Sequence, residues 1–199
     1  MKVLHRDDLF GWSRFDEQRN LDFHSVAWIR EGGNVLVDPL EMTEHDLAHL
    51  RSLGGAAFVV ITNRDHLRGA PRLAEALGAR LLGPAAEKPQ LSVECDRWLS
   101  EGDEIVPGLR VLEMHGSKTP GELALVLEET TLISGDLIRG HRAGWLNLLP
   151  DGKLTDKQRA VASVKRLLDL PAIDAVLVGD GWPVYRDGHA RLRELVSAL

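Results

Sequence analysis

Three apolar runs in this chain each stop on a small polar cluster: VVIT before NRDH, TLIS before GD, and AVLV before GDG. Short apolar runs rich in β-branched residues and closed by turn residues read as buried strands. Two of them lead into stretches with helical spacing, APRLAEALGA and GHARLRELVSAL. A strand that is apolar throughout must be covered on both faces, and a helix must bury one stripe. The alternation therefore demands layers of helices packed on sheets.

The intervening segments fill in that plan. HSVAWIR and GGNVLVDP read as a hairpin, with two glycines turning the chain and Pro39 ending it. TEHDLAHLRSLGG predicts a helix with Thr43 as N-cap, Gly54 as stop, and Leu47, Leu50 and Leu53 at helical spacing. Pro71 suits the first turn of APRLAEALGA. RLLGP is a further short strand, EIVPGLRVLEMH a strand pair around its PG, and ELALVLEETTLISGD a hairpin. After a loop, TDKQRAVASVKRLLDL predicts an amphipathic helix, and AIDAVLVGDG and GHARLRELVSAL close the chain as strand and helix. The order is a β-hairpin, then αβαβ, several strands, and αβα, a mixed α/β fold with two sheets. No repeat or linker interrupts it, so residues 1–199 are expected to form one domain.

The net charge of −6 argues against a nucleic-acid partner, which would need a basic face. No apolar stretch approaches a membrane span, and the N-terminal twenty residues hold no secretion signal, so a cytoplasmic protein is expected. The lone Cys95 rules out an internal disulfide and a cysteine-cluster zinc site.

Strand ends that converge on one sheet edge are where α/β proteins place ligands. The polar side chains there are Asn63, Asp65, His66 and Arg68, with Asp136 and Asp180 from the two later turns and His115 and Lys118 from the loop MHGSKTPGE. His45 and His49 share a helix face but read as surface residues, and no Gly-x-Ser-x-Gly elbow or phosphate loop is present.

Four segments together resemble the metallo-β-lactamase superfamily. GGNVLVDPLEMTEHDLAHLRSLG resembles its opening hairpin and helix. ITNRDHLRGA stands where the family has Thr-His-x-His-x-Asp-His. GSKTPGELALVLEETTLISGDL resembles its Gly-His-Thr-Pro-Gly segment, the strand after it and the Ser-Gly-Asp turn, and VLVGDGWPV resembles its late Pro-Gly-His-Gly turn. The resemblance implies a four-layer αββα sandwich and metal-dependent hydrolysis, in which imidazoles and a bridging aspartate hold two ions. Aligned on Thr62, the family's histidine positions carry Asn63, Asp65 and Arg68, and Leu67 replaces an aspartate. A shifted register instead matches Asp65-His66 to Asp-His. Lys118 and Asp180 stand at further histidine positions, and Asp136 keeps the bridging aspartate.

Arginine has no lone pair to give a metal, and lysine must first lose its proton. Buried aspartates facing one another would repel, and basic side chains would neutralise them. The expectation is a cluster of Asp65, Asp136 and Asp180 with Arg68 and Lys118 in place of the two-ion centre. Within it Asp65, His66 and Lys118 are the candidate catalytic groups, Arg68, Asn63 and Trp182 the candidate substrate contacts, and Asp136 and Asp180 the candidate metal ligands. Two functions stay open. One is a hydrolase for an ester or phosphoester with at most one divalent ion (manganese, iron, magnesium or zinc) on Asp136 and Asp180 with Asp65 or His66. The other is a metal-free descendant that binds a small anion or serves a structural role. The expected partner is a small-molecule ligand or substrate, without nucleic acid or membrane, and with a homodimer open as the assembly state.

Overall fold

The computed structural model describes residues 1–199. Its first sheet runs in sequence order through β1 (Lys2–Val3), β2 (Leu9–Asp16), β3 (Leu21–Trp28), β4 (Val35–Val37), β5 (Phe58–Val60), β6 (Arg80–Pro84) and β7 (Arg97–Leu99). Antiparallel pairing joins β1 through β4, and β4 through β7 are parallel. The second half supplies β8 (Glu104–Val106), β9 (Leu109–Glu113), β10 (Leu123–Leu127), β11 (Thr131–Ser134), β12 (Ile138–Arg142), β13 (Trp145–Leu148) and β14 (Ala175–Val178). Five of these form a second sheet in the order β14-β11-β10-β9-β8, while β12 and β13 make a separate hairpin. The only parallel pair in the second sheet is β11 with β14.

Helices α1 (Glu44–Ser52) and α2 (Ala70–Leu77) cover the first sheet, and α3 (Lys157–Lys165) and α4 (Gly188–Ser197) cover the second. This is the expected αββα sandwich. Strand β10 shows why its residues are apolar without interruption: Leu123, Leu125 and Leu127 enter the core between the sheets, while Ala124 and Val126 face the α3–α4 layer. Each such leucine contributes about 1.5–3 kcal/mol by leaving water. On the opposite side Leu36, Leu50, Val59, Ile61 and Ala74 pack in the α1–α2 layer. Thr43 caps α1 as expected, its hydroxyl accepting from the Asp46 N–H at 3.1 Å.

Two segments depart from the sequence expectation. The stretch after SGD, read as loop, folds as the β12–β13 hairpin, and the first twenty residues supply β1 and β2. The predicted helix over TDKQRAVASVKRLLDL is α3 followed by a 3-10 turn, Arg166–Asp169. No helix is long and apolar enough to cross a membrane.

The topology fixes the site. Asp38 and Thr62 follow the adjacent parallel strands β4 and β5, and Asp136 and Asp180 follow the adjacent parallel strands β11 and β14. Hydrogen bonds from Leu123 N to the Thr62 carbonyl (2.8 Å) and from His24 N to the Gly179 carbonyl (2.9 Å) tie the two sheets together at this edge.

Candidate functional site

The site is built outward from a buried carboxylate. Asp38 has a left-handed backbone, φ 48°, which costs a non-glycine residue on the order of 1–3 kcal/mol unless its surroundings hold it. Here they do. The Thr62 N–H donates to Asp38 Oδ1 at 2.7 Å, and the Thr62 hydroxyl donates to Oδ2 at 2.6 Å. His66, buried at the end of the 3-10 turn Arg64–His66, brings Nδ1 to 2.8 Å from the same Oδ2. Its other nitrogen, Nε2, faces Asp136 Oδ1 at 3.6 Å. Gly179 is required by this packing, since a Cβ there would lie 2.7 Å from His66 Cε1.

Asp136 is surrounded by cations. Lys118 Nζ lies 2.7 Å from its Oδ2 and 2.8 Å from Asp65 Oδ2. Arg139, three residues along, donates from Nη2 to Asp136 Oδ1 at 3.0 Å and from Nε to the Asp136 carbonyl at 3.1 Å. The same Nη2 lies 2.9 Å from Asp180 Oδ2, so one guanidinium bridges the two aspartates. Arg68 Nη2 stands 3.7 Å from Asp180 Oδ1, a buried oxygen that receives no hydrogen bond. The Arg68 side chain is set by donation to the His24 carbonyl at 3.1 Å and by stacking over Phe23. Behind the turn, Glu122 Oε1 accepts from the N–H groups of Asp136 and Leu137, both at 2.7 Å, and its other oxygen takes the Ser117 hydroxyl.

These contacts set the charges. Burial opposes a charged His66, but Asp38 and Asp136 outweigh it and push the imidazole up to about 10. Burial also opposes ionised Asp136, yet His66 and Lys118 hold it well below the usual carboxylate range. Lys118 is raised despite burial, through Asp136 and Asp65. Glu122 is raised to about 7 by burial and by the neighbouring Asp136 charge, against the Ser117 hydroxyl and two backbone donors. The ion pairs of the cluster thus set His66, Arg68, Lys118 and Arg139 against Asp38, Asp65, Asp136 and Asp180, four facing four, with Glu122 behind the Asp136 turn titrating near neutral pH.

His66, Asp136 and Asp180 offer donor atoms within 4.8 Å of one another, a candidate metal-binding triad. Two ions do not fit these residues: a two-ion centre needs several imidazoles, and His66 is the one imidazole here, between two carboxylates. A single ion on the triad would compete with the Arg139 guanidinium for Asp136 Oδ1, while Asp180 still offers its unbonded Oδ1. In front of the cluster opens a cleft of about 760 Å³, whose wall carries Arg14, Arg19, Arg68 and Lys118 together with Asp16, Glu41, Asp65, Asp136 and Asp180, and Phe23. Arg14 and Arg19 have no carboxylate partner for their guanidinium groups, and Arg19 stacks on Phe23 at 5.5 Å.

Most of the sequence-derived site comes together. Asp65, His66, Arg68, Lys118, Asp136 and Asp180 all border the cleft. Asn63 instead lies buried behind it, where its Oδ1 accepts from the Asp65 N–H at 3.0 Å and its Nδ2 donates to Asp136 Oδ2 at 3.2 Å. Trp182 is exposed and outside the cleft wall; its backbone, not its indole, joins the local structure by donating to the Gly140 carbonyl at 2.6 Å. His115 faces a separate pocket. The sequence reading missed Asp38, Glu122 and Arg139. Arg139 had a signal in its three-residue distance from Asp136, and Asp38 in the VDP turn that ends the first hairpin.

The sequence matches the family model described as the metallo-beta-lactamase superfamily over residues 1–199. No curated protein matches it as a relative. Among solved structures, the fold is similar to DIM-1 metallo-beta-lactamase, with a TM-score of 0.78 and 15% identity over 99% of this chain and 96% of that one. It is similar to a metallo-beta-lactamase from Pontibacter korlensis (TM-score 0.76, 16% identity, covering 100% and 98%). A third is TTHA1623, solved in a di-iron-bound form (TM-score 0.66, 23% identity, covering 84% and 91%).

Proposed function

This chain belongs to the metallo-beta-lactamase superfamily, and we propose that its site is held together by internal cations and binds a small anion in place of metal-assisted hydrolysis. The observation that carries the reading is the position of Arg139, whose guanidinium joins Asp136 to Asp180 where an ion would have to sit. Removing that cation would leave two adjacent buried carboxylates short of charge, and breaking a buried pair costs about 3–5 kcal/mol. An entering ion therefore competes against a partner already satisfied. The cleft in front is suited to an anion. Arg68 and Arg19 both stack on Phe23, which orients their forks, and Arg14 joins them without a carboxylate of its own. Guanidinium groups match carboxylate and phosphate oxygens in pairs. A cleft of this volume lies in the range of small-molecule sites.

The test is elemental analysis of protein purified without chelator, together with calorimetric titration of inorganic phosphate and acetate. The expected result is substoichiometric metal and a saturable anion binding weakened by Arg19→Gln. A second reading, a single-ion hydrolase, draws on the proximity of His66, Asp136 and Asp180 and on the unpartnered Asp180 oxygen. It requires an ion to compete with Arg139 for Asp136 and with the proton that Asp38 and Asp136 favour on His66. One full equivalent of manganese, iron or zinc retained through dialysis, with turnover of an ester or phosphoester, would establish it and overturn the first.

A further inference from the structure

We infer that a second pocket, which shares Lys118 with the cleft, is an anion subsite, so that the ligand carries two anionic groups joined past this lysine. The inference rests on the cleft being an anion site and extends it to a ligand class: an organic bisphosphate, a phosphorylated carboxylate or a short linear polyphosphate.

The second pocket, about 550 Å³, lies between the 3-10 turn that carries His66, the segment joining β9 to β10, and the start of α3. Its ionisable wall residues are Arg64, His115, Lys118 and Arg159, and none of its lining residues is a carboxylate. The two arginines are also poorly paired. The Arg159 guanidinium has no acidic partner; only its backbone N–H is used, donating to the N-cap Asp156 at 3.0 Å. Arg64 spends a guanidinium N–H on the amide oxygen of Gln90, and its nearest carboxylate, Asp65, is 3.9 Å away.

Cations gathered on one concave wall repel each other, and a bound anion relieves them. Lys118 belongs to both walls. Its ammonium has three donors, and Asp65 and Asp136 engage two of them, which leaves one for a ligand. A molecule with one anionic group among Arg14, Arg19 and Arg68 and another against Arg64 and Arg159 would pass this ammonium and gain from both walls at once. Two linked contacts bind more tightly than either alone.

The experiment is calorimetric titration of the full chain with inorganic phosphate and with linear tripolyphosphate at matched ionic strength. Tripolyphosphate is expected to bind at least about tenfold more tightly than phosphate. Arg159→Gln should reduce that preference to about twofold, and Lys165→Gln, the same charge change at the other end of α3, should leave it intact. Equal affinity for the two anions in the native chain overturns the inference. So does a preference that survives Arg159→Gln, or one that falls equally with Lys165→Gln, which would mark a general charge effect. The two readings separate on Arg19→Gln. If it weakens phosphate while Arg159→Gln spares tripolyphosphate, the second pocket alone fails. If it weakens neither anion, the cleft reading fails, and the two-sided ligand with it.

Discussion

At the scale of single residues, Arg139 decides what this site is. It satisfies two carboxylates that would otherwise repel each other in a buried space. Arg139→Ala is therefore expected to cost about 3–5 kcal/mol in urea denaturation at neutral pH, and adding Asp180→Ala should recover part of the loss by removing one stranded charge. The same single variant vacates the position between His66, Asp136 and Asp180, so manganese should raise its melting temperature and leave that of the native chain unchanged. A cost below about 1 kcal/mol, the value of an exposed pair, would show that the guanidinium does not bridge. The sequence pointed to Asp136, Asp180, Arg68 and Lys118 because each stands in a turn that punctuates a strand. It also anticipated that Asp65, Asp136 and Asp180 meet Arg68 and Lys118 in ion pairs. Arg139 escaped because it lies in a segment read as loop, and only the bend after Gly135 turns a distance along the chain into a contact. His66 escaped as the centre of the cluster for a similar reason: its two carboxylate partners, Asp38 and Asp136, lie 28 and 70 residues away.

At the scale of elements, β12 and the turn after β14 are what bring Arg139 to Asp180. They meet backbone to backbone: Gly140 N–H donates to the Asp180 carbonyl at 3.1 Å, and Trp182 N–H returns to the Gly140 carbonyl at 2.6 Å. A Cβ on Gly140 would fall 2.0 Å from the Trp182 carbonyl oxygen, which is backbone and cannot swing aside. Gly140→Ala is expected to lose about 1–3 kcal/mol, as overpacking does, and to weaken phosphate binding because Arg139 and Asp180 move apart. Unchanged stability together with unchanged affinity would mean that this contact does not position the pair. The apolar elements β5, β10, β11 and β14 were legible because burial on both faces leaves no charged residue in the run. Strand β2 was not: it begins buried and ends exposed, as LFGWSRFD, and so shows neither an apolar run nor a clean alternation. The β12–β13 hairpin was hidden in the same way, since IRGHR passes from buried to exposed within five residues.

At the scale of the whole molecule, the fold places a parallel strand pair from each sheet with their C-terminal ends at a common edge, and the turns that follow those strands carry Asp38, Thr62, Asp136 and Asp180 into one buried cluster. That arrangement could be read from the strand-and-turn pattern; the charge states it imposes could not, because they depend on which groups end up buried together. They make stability depend on pH in separate windows. Asp136 is depressed, so its contribution is present above the unfolded value near 3.8 and is lost as pH falls below it. Glu122 is raised from 4.5 to about 7, so the folded state favours its protonated form and stability declines as pH rises across that interval. His66 is raised from 6.5 to about 10, so its contribution is complete below 6.5 and is lost as pH rises toward 10. Above pH 7.5 the Glu122 change is largely over; buried Cys95, raised from 9.0 to about 11, adds a decline that starts near pH 9 and is common to the native chain and a His66 variant. Between about pH 7.5 and 9.5 the native chain should lose on the order of 2 kcal/mol of unfolding free energy or more, since a tenfold difference in proton affinity is worth about 1.4 kcal/mol. His66→Gln can still donate one hydrogen bond but cannot hold a proton, so it should begin less stable at pH 7.5 and show a much flatter slope. Urea denaturation at four or five pH values for both proteins gives the comparison. Parallel slopes would mean that His66 is neutral in the folded chain, and the balance of four cations against four anions would then be broken, leaving net negative charge in the buried cluster and room for a metal ion to supply what the imidazole does not.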